Sequence, residues 1–356
     1  SIPFIILIFL ILTYFFIEKP FRNKNFLPRK IFFLIIALFF IFILIINLTV
    51  IKNNGFKNRL PKILSQSLGL NDRGKLADEN GICDERLNNF CKFGSINNPR
   101  IILLGDSQMG AIEYQLKKKA LKNNFSYSSI TKMNCIYIPN FYRVNTINNT
   151  IDSECNNSTQ QIKKNFLEKN GKSTIILGGR YTMYLSGSKF DNNEGGIESI
   201  VPWNWRFVHK DKKFTPEEGI KNSILELAKN NKIILLYPIP EVGWHVPQKI
   251  FLNSRFNYLK FWESKSDLEL IRTKKITTSF QVYLERNKKV FDLFNDISGK
   301  NIHRIYPHQI FCNTSNNRCI THDENNVYYY DHNHLSSYGS KLLSDKIIKK
   351  IKKIYE

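Results

Sequence analysis

Ile101-Ile102-Leu103-Leu104-Gly105-Asp106-Ser107 is a short apolar run that stops on glycine, with a helical pattern from Gln108 to Leu121 behind it. Such a run reads as a strand buried on both faces, and Gly105 permits a tight strand-to-helix turn. The unit recurs along the chain. Thr174-Ile175-Ile176-Leu177 ends at Gly178-Gly179, and Lys232 to Tyr237 ends at Pro238 and Pro240. Pro216-Glu217-Glu218 opens a helix to about Asn230, with proline and acids where a helix amino terminus favours them. Asp267 to Phe294 and Tyr338 to Ile354 read as further helices. Strands of this kind alternating with helices predict an α/β domain over 101–356, a parallel sheet with helices on both faces. Sites in such sheets lie beyond the carboxyl ends of the strands.

Ahead of this domain the composition changes twice. Residues 52–100 are polar and mixed, and read as a linker with little regular structure. Residues 1–51 hold two apolar runs. Ile31 to Ile46 is uninterrupted and continues to Ile51 past Asn47 and Thr49, which suffices for a bilayer span. Ile2 to Ile17 falls a little short of a ~30 Å hydrocarbon core at ~1.5 Å per residue. It reads as a transmembrane helix cut at its start by the chain boundary. A signal peptide is the competing reading, but the run lacks a basic leading region, and Ala37 is the only alanine before Lys52. The expected fold is therefore the sheet domain preceded by two transmembrane helices, within 1–24 and 25–51. Lys19, Arg22, Lys24, Arg29 and Lys30 lie between the runs against one acid, Glu18. Short loops with that bias stay in the cytoplasm, so everything after Ile51 is expected outside it.

The six cysteines agree with that side. Cys83, Cys91, Cys135, Cys155, Cys312 and Cys319 fall in three sequence-local pairs, with no CxxC and none beside histidine at zinc-ligand spacing. An even count reads as disulfides, which need an oxidising compartment; spacing alone leaves the connectivity open. The formal charge of +22, from 52 Lys+Arg against 30 Asp+Glu, accompanies a bias toward Lys, Asn and Ile along the whole chain. No basic stripe sits on a recognition module, so nucleic acid is not an expected partner.

Gly105-Asp106-Ser107 stands where a nucleophile is useful. At a helix start, the Ser107 N–H faces any oxyanion formed on an attacked carbonyl. A serine hydroxyl needs a base, and the base an orienting acid. Asp331 and His334, three apart at the start of a helix, can bring a carboxylate to Nδ1 while Nε2 faces Ser107. His332 is the rival base. His332 with His334 is also a conceivable metal pair, with no third ligand in view. Trp203, Trp205, Trp244 and Trp262 offer faces for sugar stacking, against the plainer role of packing.

Gly105-Asp106-Ser107 near the domain start with Asp331-x-x-His334-Leu335-Ser336 near its end resembles the SGNH hydrolase-like superfamily. Ile17-Glu18-Lys19-Pro20-Phe21-Arg22 resembles the exit of the last helix of the acyltransferase-3 membrane domain. The whole order is similar to the fused architecture of bacterial surface-polysaccharide O-acetyltransferases. Cys312 and Cys319 look like that family's disulfide-closed hairpin, and Pro238-x-Pro240-Glu241-Val242-Gly243 also looks like it. The resemblance implies Ser107 as nucleophile, His334 as general base and Asp331 as its orienting acid, with Asp106 a turn residue and Ser336 a helix cap. The superfamily's usual oxyanion asparagine comes from a Gly-x-Asn-Asp block; Gly69-Leu70-Asn71-Asp72 spells it but precedes Ser107, and reads as a chance match. Leu177-Gly178-Gly179-Arg180-Tyr181 resembles the arginine version of the membrane-fused branch. The candidate oxyanion donors are then Ser107, Gly179 and the Arg180 guanidinium.

By this resemblance the chain is an O-acyltransferase at the bacterial inner membrane, with residues 52–356 in the periplasm. It would pass an acyl group, most simply acetyl, to a cell-surface glycan or lipid-linked oligosaccharide. The chain itself binds no cofactor in this reading. Acetyl-CoA would be the ultimate donor, through the remaining acyltransferase-3 helices. A carbohydrate esterase with the same triad, and a glycan-binding domain without catalysis, are the alternatives.

Overall fold

The computed structural model describes residues 2–22, 28–53, 55–56, 76–83, 85–253 and 275–356. The chain divides into two units, 1–59 and 60–356.

In the first unit, Lys30–Lys52 is the one helix among the described residues long and apolar enough to cross a membrane. Its 23 residues reach ~35 Å at ~1.5 Å each. Two spans were expected, and this is a correction. The leading apolar run is α-helical only over Ile2–Thr13, then turns through a π-helical stretch, Tyr14–Glu18, into Lys19–Arg22. Glu18, Lys19 and Arg22 close this helical stretch, so its apolar part ends at Ile17.

The second unit is built on a six-stranded sheet. Its order is Ile302–Ile305, Lys232–Leu236, Thr174–Leu177, Arg100–Gly105, Ser126–Thr131, Lys92–Phe93. The first five run parallel, and Lys92–Phe93 is an antiparallel edge. Side chains alternate across each strand. Ile101, Leu103, Ile176 and Ile234 pack with Leu116, Ala120, Leu343, Ile347 and Ile351 of helices Glu113–Lys122 and Ser337–Tyr355. Ile102, Leu104, Ile175, Ile233 and Leu235 pack on the other face. They meet Leu167, Ile220, Ile224, Val290 and Phe294 of helices Asn157–Lys169, Pro216–Ala228 and Phe280–Asn295. Both faces are therefore covered, as the uninterrupted apolar runs predict. Each buried Leu, Ile, Val or Phe among them contributes roughly 1.5–3 kcal/mol of transfer free energy.

Several boundaries differ from the sequence reading. Ser126–Thr131, rich in serine, gives no apolar signal, yet all six residues are buried. Ser129 and Thr131 hydroxyls donate to Glu113 at 2.8 and 3.1 Å, which offsets their loss of water. The helix expected from Gln108 is two, Ser107–Gly110 and Glu113–Lys122. At the break the Ala111 carbonyl accepts from Ser340 Oγ at 2.8 Å. Residues 76–100, read as linker, supply the edge strand and the buried Leu76; Ala77–Asp78 pairs with Gly81–Ile82. Gly69-Leu70-Asn71-Asp72, Trp262 and the expected helical stretch 267–274 lie outside the described residues. The cysteines pair locally: Cys83–Cys91, Cys135–Cys155 and Cys312–Cys319.

Candidate active site

The Ser107 turn is set by its neighbours. A Cβ on Gly105 would lie 2.2 Å from the Gly178 carbonyl oxygen, so glycine lets the two central strand ends approach. Ser107 begins the next helix, and the fully buried Asp106 caps it. Asp106 Oδ1 accepts from Gln108 N–H at 2.9 Å. Its Oδ2 accepts from Arg180 N–H and Tyr184 O–H, both at 2.8 Å. The first bond closes the Ser107 turn, and the other two tie it to the segment after Thr174–Leu177.

Asp331 and His334 lie in the turn before the last helix, which Ser336 caps by accepting from Gly339 N–H at 3.2 Å. Asp331 Oδ1 accepts from the N–H groups of Asn333 (2.9 Å) and His334 (2.8 Å). This local turn brings Oδ2 to 2.7 Å from His334 Nδ1. His334 Nε2 is 2.9 Å from Ser107 Oγ. With the ring proton on Nδ1, Nε2 accepts from the serine hydroxyl. Tyr330 lies 5.4 Å from the His334 ring at 12° and fixes its plane from one side. Burial alone would raise the Asp331 pKa. The His334 hydrogen bond and charge, with the two backbone N–H groups, outweigh it and hold the carboxyl at about 2.

The structure thus brings Ser107, His334 and Asp331 into one hydrogen-bonded line. The other expected residues fall differently. No acceptor for the Ser107 N–H or the Gly179 N–H is present among the described residues. The Arg180 guanidinium, the third candidate donor to an oxyanion, is engaged by two carboxylates. Its Nε donates to Glu241 at 2.7 Å and its Nη1 to Glu198 at 2.9 Å, while Nη2 reaches both carboxylates. Burial lowers the Arg180 pKa, but the two carboxylates raise it further, so its charge is firmly held. The ring of His332, the rival base, lies 5.6 Å from that of His245 and nearly perpendicular to it, and the His332 carbonyl accepts from Val242 and Gly243 N–H. Trp203 and Trp205 flank the Arg143 guanidinium at 5.7 and 4.8 Å, and Arg143 pairs with the buried Asp152. Both rings are half-buried. Trp244 carries the Lys249 ammonium at 4.9 Å. Glu198 and Tyr184 were missed, because no motif links them to Ser107 or His334; Glu241 stood out only as part of a family-like stretch, and Tyr330, next to Asp331, was not read as packing on the His334 ring.

The fold and this site define an α/β protein with a serine-centred hydrogen-bonded line at the carboxyl ends of its parallel strands. The chain belongs to the family of SGNH domains fused to AT3 domains, whose model matches residues 77–349. A search of curated proteins finds no match. Among solved structures, the chain is similar to the periplasmic domain of a lipopolysaccharide acetyltransferase from Salmonella ser. Paratyphi A. The identity is 16%, covering 72% of this chain and 85% of that one, with a TM-score of 0.43. It is also similar to an acetyl xylan esterase, at 15% identity over 71% of this chain and 99% of that one, with a TM-score of 0.35.

Proposed function

We propose that this protein transfers an acyl group, acetyl in the simplest case, to a hydroxyl of a cell-surface glycan through an ester on Ser107. The observation that carries this reading is the line Asp331–His334–Ser107, with 2.7 and 2.9 Å links at the end of a central strand. In the first step Ser107 Oγ attacks the acyl carbonyl as its proton passes to His334 Nε2. The Asp331 carboxylate stays ionised and stabilises the imidazolium. The bond from the acyl carbon to the donor atom then breaks, and the leaving group takes the proton from His334. In the second step a glycan hydroxyl gives its proton to His334 and attacks the ester carbon, and Ser107 departs with the proton returned. The N–H groups of Ser107 and Gly179 are the candidate donors to the tetrahedral oxyanions.

Three disulfides, a helix of spanning length and the basic residues before it support a membrane-anchored domain outside the cytoplasm. A surface glycan or a lipid-linked oligosaccharide is the acceptor available there. Acetyl-CoA on the cytoplasmic side is the ultimate donor in this proposal, through further acyltransferase-3 helices. The test is Ser107→Ala in the full-length protein, with glycan acetylation followed by mass spectrometry. Acetylation is expected to vanish; its persistence refutes the nucleophile. Partition of the acyl group between sugar and water separates a transferase from an esterase.

A further inference from the structure

Buried charges surround Arg180 and touch every loop that carries part of the line. Arg180 binds Glu198 and Glu241, and Arg286 Nε lies 3.6 Å from the far oxygen of Glu241. Two arginines and two glutamates make a set that is neutral as a whole. Contacts run outward from it. The Arg180 N–H holds Asp106, the residue before Ser107. Glu198 accepts from Asn333 Nδ2 at 3.4 Å, beside His334. Glu241 opens the turn whose Val242 and Gly243 N–H groups reach the His332 carbonyl at 2.9 and 3.2 Å. Asn192 Nδ2 donates to the Val242 carbonyl at 2.9 Å, joining that turn to the loop that ends in Glu198.

We infer that Arg180 is a positioning residue rather than an oxyanion donor: with Glu198 and Glu241 it clamps the Asp331–His334 turn onto the turn that carries Ser107. The inference rests on the serine mechanism above. Four of the five guanidinium N–H donors are taken by Glu198 and Glu241, and each would have to give up its carboxylate to reach an oxyanion. Pulling the set apart strands buried charge, so it resists displacement. Rigidity matters here because a shift of ~1 Å between reacting groups costs on the order of 10²-fold in rate.

The test uses the full chain, with p-nitrophenyl acetate as substrate and a fluorophosphonate to label Ser107. Glu198→Gln and Glu241→Gln are each expected to lower kcat roughly 10- to 100-fold with KM little changed. Labelling should reach the wild-type stoichiometry, at a lower rate. The double variant should lose no more than Arg180→Gln does, because all three break one clamp. Arg180→Lys keeps the charge without the fork and should lose kcat as well. An oxyanion role gives the reverse. Removing the carboxylates would free the guanidinium, so Glu→Gln variants that keep or raise kcat overturn the clamp. So does a fully active Arg180→Lys, or a labelling stoichiometry that falls in step with kcat. Wild-type turnover that survives Ser107→Ala sinks the serine mechanism and the clamp together. Ser107-dependent turnover that ignores Glu→Gln sinks the clamp alone.

Discussion

Replacing Asp331 by asparagine separates orientation from mere packing. The side chain stays nearly isosteric, and its carbonyl oxygen can still accept from the Asn333 and His334 N–H groups, now 2.9 and 2.8 Å from Oδ1. The atom facing His334 Nδ1 then becomes an amide that donates. The ring proton moves to Nε2, and Nε2 no longer accepts from Ser107. In a serine-histidine-acid arrangement this wrong tautomer costs about 10⁴-fold in kcat, or about 5 kcal/mol of activation free energy. Stability changes by a smaller amount. The Asp331 pKa falls from an ordinary 3.8 to about 2, which at ~1.4 kcal/mol per pH unit is about 2 kcal/mol. A depressed carboxylate pKa adds stability that is complete above about pH 4 and is lost as the pH falls toward 2. Asp331→Asn should remove that segment of the acid-unfolding curve. The assay pairs p-nitrophenyl acetate turnover at neutral pH with thermal melts between pH 2 and 5. A loss of kcat under about tenfold in a variant that melts within a few degrees of wild type would refute the orienting role.

Three further outcomes follow from the same packing. Lys163 is wholly buried, its Nζ donating to the Cys135 carbonyl at 2.8 Å, and burial pushes its pKa from 10.5 down to about 7. The unfolded chain then binds more protons, so Lys163 makes stability rise with pH from about 7 to 10.5; Lys163→Met should flatten that rise in pH-dependent melts. Cys135→Ala with Cys155→Ala removes a buried crosslink and should cost roughly 3 kcal/mol, read as a Tm drop of roughly 5–10 °C. Gly243 has φ +80°, and a Cβ there would lie 2.2 Å from the Gly196 carbonyl oxygen, so Gly243→Ala should cost ~1–3 kcal/mol in a denaturant titration and lower kcat through the His332 contact.

Much of this protein is legible without a structure, where the cause is local. The apolar runs at 101, 174 and 232 read as strands because they are short, end on glycine or proline, and put adjacent apolar side chains on both faces of a sheet. Ser107 stands out because a glycine permits the turn before it. Asp331 and His334 stand out because their turn is closed by hydrogen bonds three residues or fewer apart. The even cysteine count in three close pairs points to disulfides, and the structure supplies the connectivity, joining cysteines 8, 20 and 7 residues apart. Tertiary structure alone decided the rest. The serine-rich strand 126–131 is buried although its sequence carries no apolar run, with Glu113 accepting from the Ser129 and Thr131 hydroxyls, and the helix after Ser107 breaks where Ser340, 229 residues on, takes the Ala111 carbonyl. The sharpest case is Arg180. In the sequence it is a cation beside a strand end, free to serve an oxyanion. Its partners lie 18 and 61 residues away, and only the folded chain brings Glu198 and Glu241 to it. Once buried, a guanidinium must be paired, and the carboxylates that pair it leave it little freedom to act elsewhere.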